Sequence, residues 1–111
     1  MKIIVYVTKS NSILIDPNVT INSGVTNGYH VQFIFQDKWN SELKLYAIFK
    51  PANDIPIKLE LDENNCCNIP PQLYRRYSKL GIGVKGEHRN EETKEQQATN
   101  LFYVPIEYSG I

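Results

Sequence analysis

The stretch that decides the fold is residues 29–86, which begins with YHVQFIF (29–35) and continues through LKLYAIF (43–49), IPIKLEL (55–61), CCNI (66–69) and LGIGVKG (80–86). Each run is short, rich in β-branched, aromatic or other apolar residues, and followed by turn-forming or polar residues. Short apolar runs of this kind are typical of an all-β domain built from two packed sheets.

Apolar side chains recur at every second position within these runs. Residues 55–61 show this most regularly, because four apolar residues alternate with Pro56, Lys58 and Glu60. A period of two places one set of side chains on the buried face of a strand. The alternation predicts a core that contains Phe33, Phe35, Leu45, Ala47, Leu59, Ile82 and Val84.

The flanking sequence supplies further strand signals. We expect strands over residues 2–8, 12–15, 19–21 and 100–108, and a single helical turn over 71–75, where Pro71 suits the first position of a helix. Residues 87–99 are polar and predict a mobile surface loop. The sequence therefore predicts one domain over residues 1–111, an immunoglobulin-like sandwich of two antiparallel β-sheets with one short helical turn.

Charge and composition argue against several classes of function. Twelve basic and twelve acidic residues give a formal net charge of zero, so the basic face that non-specific nucleic-acid binding requires is not indicated. No apolar run approaches the roughly 20 residues of a membrane helix. The opening run is too short for a secretory signal, and we expect a soluble protein made in the cytoplasm.

No group of residues indicates catalysis, a metal or a cofactor. His30 and His88 have no nucleophile motif beside them, and no ligand spacing gathers them. The adjacent Cys66 and Cys67 predict free thiols that face opposite sides of an extended strand. Residues 62–65 (DENN) offer oxygen ligands for calcium, but Asx residues also form hairpin turns, and we favour the turn.

Two groups of aromatic residues are candidates for binding. Trp39 either stacks on a ligand, as in carbohydrate-binding modules, or belongs to the core. The turn formed by Tyr74, Arg75, Arg76 and Tyr77 has the composition of a protein interface. A helical turn that exposes Tyr and Arg is also ordinary protein surface, so both interpretations stay open.

The order of these pieces resembles a small β-sandwich module found in baseplate upper proteins and in tail or head fibres of phages and prophages of Gram-positive bacteria. The resemblance runs through KIIVYVT (2–8), INSG (21–24), FIF (33–35), Trp39, AIF (47–49), LELDEN (59–64), CNIP (67–70), GIGVKG (81–86) and FYVPI (102–106). It implies a module that assembles with other phage structural proteins, and it implies no catalytic residues.

We therefore expect a virion structural protein, a tail, baseplate or head-fibre adaptor or decoration protein. It would bind other phage proteins or a second copy of itself, either through a sheet edge at residues 2–8 or 100–108 or through the turn at 74–77. Two alternatives remain: a small phage-encoded inhibitor of a host defence protein, and a carbohydrate-binding module at the host surface. An enzyme is not expected.

Overall fold

The computed structural model describes residues 1–24, 28–39, 41–75, 78–88 and 96–108. Within these ranges the chain forms ten strands and one helical turn. In chain order they are β1 (Lys2–Val7), β2 (Ile13–Leu14), β3 (Ile21–Asn22), β4 (Tyr29–Phe35), β5 (Leu43–Pro51), β6 (Ile57–Glu60), β7 (Cys66–Ile69), α1 (Gln72–Arg75), β8 (Lys79–His88), β9 (Gln96–Ala98) and β10 (Phe102–Glu107).

The strands form two sheets around one cluster of buried side chains. The four-stranded sheet has the order β2-β1-β4-β7, and the six-stranded sheet has the order β3-β10-β8-β5-β6, with β9 also paired to β8. The prediction of an all-β, sandwich-like fold is confirmed. The predicted helical turn is α1, which lies in the connection between β7 of the four-stranded sheet and β8 of the six-stranded sheet.

Two strand pairings are parallel, which corrects the prediction of purely antiparallel sheets. β1 runs parallel to β4 from Lys2 opposite His30 to Val7 opposite Phe35. β10 runs parallel to β3 at Ile106 opposite Ile21. Residues 8–28 lie between β1 and β4 and contain β2 and β3, so the chain crosses to the other sheet and returns in the original direction. Side-chain alternation has the same period in both orientations and could not distinguish them.

The alternation located the core correctly at its centre and less well at its periphery. Phe33, Ala47, Ile82 and Val84 are 0–2% exposed. The other three predicted core residues, Phe35, Leu45 and Leu59, are partly buried and pack against this cluster. Ile55 is wrongly placed by the pattern, since it is 76% exposed. It precedes β6, which begins at Ile57, so the strand alternation does not extend back to it.

The prediction of a surface loop over residues 87–99 is wrong at both ends. β8 continues to His88, and Gln96–Ala98 forms β9, which pairs antiparallel with β8. Residues 89–95 lie outside the described part of the chain. A short strand held by backbone hydrogen bonds to its neighbour needs few apolar side chains, so composition gave no sign of β9.

The segment between β9 and β10 contains a β-bulge beside β8. Lys85 lies opposite Ala98 and Ile82 lies opposite Phe102, so two residues of β8 face the three residues 99–101. A β-carbon on Gly83 would lie 3.0 Å from the Asn100 carbonyl oxygen, which shows how closely the bulged segment crosses β8. The bulge also aims the Asn100 side chain at the other sheet, where its Oδ1 accepts a hydrogen bond of 3.0 Å from the Ile13 N–H.

Candidate interaction surface

The predicted tyrosine–arginine turn is only partly at the surface. Tyr74 is 1% exposed, and its ring meets the Tyr29 ring edge to face with 5.4 Å between centroids. This corrects the expectation that Tyr74 faces a partner, because the side chain is part of the core. Arg75 is exposed, whereas Arg76 and Tyr77 lie outside the described residues.

The single turn of α1 explains the burial of Tyr74. The Leu73 N–H donates to the Pro70 carbonyl and the Tyr74 N–H donates to the Pro71 carbonyl, at 2.9 and 3.2 Å. This turn directs Leu73 and Tyr74 together into the core. The adjacent pair Leu73 and Tyr74, one residue after Pro70-Pro71, was the sequence signal for an inward-facing turn.

Trp39 belongs to the core. Of the two interpretations that the sequence allowed, a core residue or a ligand-stacking residue, the structure supports the first. Its side chain is 8% exposed, and its ring lies 5.1 Å from the Phe35 ring between centroids. Gly86 leaves space beside it, since a β-carbon there would lie 3.2 Å from Trp39 Cε3. Because so little of the Trp39 ring is accessible, it does not provide a surface on which a sugar could stack.

The DENN segment forms a turn, as expected. Asp62 Oδ1 accepts hydrogen bonds from the N–H groups of Asn64 and Cys66, at 2.8 and 2.9 Å. Asn65 completes the turn with a φ of 59°, in the left-handed region that Asn tolerates. Among the described residues no group of three or more His, Cys, Asp or Glu side chains is arranged to hold a metal ion.

The two cysteines are free thiols on opposite faces of β7. Cys67 lies opposite the buried Val31 and packs against the core, while Cys66 lies opposite Gln32. Burial, with smaller contributions from the charges of Asp62 and Cys66, raises the pKa of the Cys67 thiol to about 12. Cys67 is therefore protonated near neutral pH and is a poor nucleophile.

The outer face of the four-stranded sheet carries a row of exposed apolar side chains. Tyr6 lies opposite Leu14 of β2 on one side and Ile34 of β4 on the other. The exposed fractions of Tyr6, Leu14 and Ile34 are 51%, 56% and 41%. Because neighbouring strands are about 4.8 Å apart, these side chains form one continuous strip, which we call the outer row.

The outer face of the six-stranded sheet has the opposite chemistry. Glu87 accepts hydrogen bonds from Lys58 at 3.0 Å and forms an ion pair with Lys85 at 3.3 Å. The Lys58 ammonium also lies 4.5 Å from the centre of the Tyr46 ring. These ion pairs keep the face hydrated, so the outer row is the better candidate for a protein contact.

Fold and surface together define a β-sandwich domain with a row of exposed apolar side chains on one outer face and ion pairs on the other. The structure is similar to the N-terminal domain of phage TP901-1 ORF48, with a TM-score of 0.64 and 9% sequence identity over 96% of this chain and 98% of that chain. At this identity the likeness is one of fold. No protein-family model and no curated protein matches the sequence. Within the described residues, no helix is both long and apolar enough to span a membrane.

Proposed function

We propose that this protein is a structural component of a phage virion, an adaptor or decoration protein of the tail, baseplate or head fibre. The observation that supports the proposal is the fold likeness to a phage protein domain, which extends over nearly the whole of both chains. The order of sequence motifs along the chain points to the same kind of module. The protein would act by non-covalent association with other phage proteins or with a second copy, without catalysis, metal or cofactor.

The outer row is the surface that we assign to this association. Fully burying a side chain such as Leu, Ile or Phe contributes about 1.5–3 kcal/mol. Each side chain of the outer row is already about half buried, so a partner would gain on the order of 1 kcal/mol from each. That gain is modest, and a stable contact would need neighbouring surface as well.

Purified particles provide the direct test. Phage particles from the strain that encodes this chain are isolated by density-gradient centrifugation, and their proteins are identified by mass spectrometry. We expect the chain at a fixed ratio to the known structural proteins of the particle. Its absence from particles, together with recovery of host defence proteins on the tagged chain, would contradict the proposal and support the inhibitor alternative.

A further inference from the structure

One side of β1 pairs with a neighbouring strand along its whole length. The other side pairs only at the C-terminal end of β1. β4 pairs with all six residues of β1, whereas β2 pairs with Tyr6 and Val7. Both residue ranges predicted as sheet edges, 2–8 and 100–108, therefore have a neighbouring strand on each side, but β3 pairs with β10 only at Ile106 and Glu107. Within the described residues, the first half of β1 has no neighbouring strand on the side where β2 has ended.

The orientation of the N–H and C=O groups of β1 shows which of them lack a strand partner. The Met1 carbonyl accepts a hydrogen bond from the His30 N–H, and the Val7 carbonyl accepts one from the Gln36 N–H. Alternate residues of a strand point to opposite neighbours, so the odd-numbered residues of β1 face β4. The N–H and C=O groups of Lys2 and Ile4 face the other side, where the described residues supply no strand partner.

A local turn after β2 takes the chain away from β1. Asp16 Oδ1 accepts a hydrogen bond from the Asn18 N–H at 2.9 Å, and the Asp16 carbonyl accepts one from the Val19 N–H at 3.0 Å. Pro17 has no N–H to donate to a ladder. The turn therefore leads the chain to β3 in the other sheet, and it opens a gap beside Lys2 and Ile4.

This gap is a groove of about 510 Å³. β1 forms one wall, and the segment from Asp16 to Thr20 forms the other. The buried side chains of Ile3 and Tyr29 contribute apolar surface to it. We call this groove, with the backbone groups of Lys2 and Ile4, the open edge.

We infer that the open edge binds an extended segment of a partner protein, which adds to the four-stranded sheet as a strand beside Lys2–Ile4. Donors and acceptors that recur at every second residue match the backbone of an extended chain. The inference adds a second contact to the association proposed above, next to the outer row, whose Tyr6 also lines the groove, and it rests on that proposal. The occupant that we assign is a single extended segment rather than the edge of a second folded copy. Asp16, Asn18, Val19 and Thr20 line the groove together with β1, so a strand that carried further strands beside it would have to displace them.

Side chains around the open edge specify the chemistry of the segment. One residue of the segment would face Ile3, Val19 and Tyr29, so it should be apolar, and its two neighbours should be polar. Lys2 and Asp16 are both exposed and lie on opposite walls. An acidic residue near Lys2 and a basic residue near Asp16 would complement these charges.

A tethered strand tests the open edge without a known partner. The Ser23 N–H donates to the Glu107 carbonyl, and the Asn22 N–H donates to the Tyr29 hydroxyl, so the end of β10 lies near the groove. A flexible Gly/Ser linker of about ten residues, which spans roughly 18 Å, is added after Ile111 and followed by the probe strand Thr-Val-Thr-Val-Thr-Val. In the matched control fusion each probe valine is replaced by proline, which removes the N–H groups that a ladder needs.

Hydrogen exchange of the Ile4 amide is the readout. We expect exchange at Ile4 to be at least about tenfold slower in the valine fusion than in the proline fusion, with the amides of β6 unchanged in both. Equal exchange at Ile4 in the two fusions would overturn the inference, and so would protection of β6 or β7 in place of β1. The fusions contain no phage component, so equal exchange at Ile4 would count against the open edge and leave the proposed function standing. Absence of the protein from particles would instead contradict the proposed function, on which the identity of the partner rests.

Discussion

Neighbouring residues of one strand have opposite environments in this protein. Phe33 is 2% exposed and Ile34 is 41% exposed, although both are large apolar residues of β4. The period of two in a strand decides which of them packs in the core. Residue type alone would place both inside.

Replacing each of these two residues by alanine should therefore give unequal losses of stability. We expect Phe33→Ala to lower the free energy of unfolding by about 3–5 kcal/mol, because it leaves a cavity among well-packed side chains. Ile34→Ala, the matched control, should lower it by less than about 1 kcal/mol. Urea denaturation followed by Trp39 fluorescence measures both, and equal losses would show that the assigned faces of β4 are wrong.

Cys67 should respond to pH through its raised pKa. The thiol titrates near 9.0 when unperturbed and near 12 in the folded protein. The unfolded chain therefore ionises first, so the stability linked to the protonated thiol is complete below about pH 9 and is lost as pH rises toward 12.

Alkylation measures the same difference at one pH. In the variant Cys66→Ala at pH 8.5, iodoacetamide should modify Cys67 at least about tenfold more slowly in the folded protein than in guanidinium, because the thiolate is the reactive form. The variant Cys67→Ala reports Cys66 as the control on the other face of the strand. Equal rates for Cys67 in the folded and unfolded states would contradict its burial.

At the scale of elements, the bulge between β9 and β10 depends on one hydroxyl group. Thr99 Oγ1 accepts a hydrogen bond of 3.1 Å from the Val84 N–H, while the Thr99 N–H donates to the Val84 carbonyl at 3.1 Å. The side chain thus takes the position of a ladder acceptor that the extra residue has displaced.

Thr99→Val removes this acceptor with almost no change of shape. We expect it to lower the free energy of unfolding by about 1–3 kcal/mol, because the Val84 N–H is left without a partner. Thr99→Ser keeps the hydroxyl and should lose clearly less. Thermal unfolding of the two variants compares them, and a valine variant as stable as the serine variant would show that water replaces the bond.

For the whole molecule, the contrast between its two outer faces should decide where it binds. We expect Ile34→Glu to reduce incorporation of the tagged chain into phage particles about tenfold, because it places a charge within the outer row. Ile55→Glu is the matched control, since Ile55 is 76% exposed but directly precedes β6, a strand of the other sheet. Quantitative mass spectrometry measures the incorporation of both variants. Equal incorporation would show that the outer row is not part of the contact.

The sequence predicts the structure best where local chemistry is sufficient. The bounds of β4 and β7 and the DENN turn follow from alternation and from Asx residues that bond their own backbone. It failed for Tyr74, because the direction of a single helical turn depends on where Tyr29 stands in another strand. It also failed for β9, whose strand conformation comes from pairing with β8 rather than from its own residues.

The candidate surfaces could not be predicted from the sequence for a related reason. Tyr6, Leu14 and Ile34 are separated along the chain and become neighbours only through strand register. The open edge requires knowing that β2 stops at Leu14 while β1 continues.

By itself the sequence determined that the chain is all β, which faces of its main strands are buried, and where its turns fall. These properties arise from the period of side chains along one strand and from residues that bond to their own backbone. Only the tertiary structure decided the parallel pairing of β1 with β4, the burial of Tyr74 and Trp39, and the juxtaposition of the outer row with the open edge. Those depend on which distant segments share hydrogen bonds and packing space, and a linear pattern of apolar residues is the same for several such arrangements.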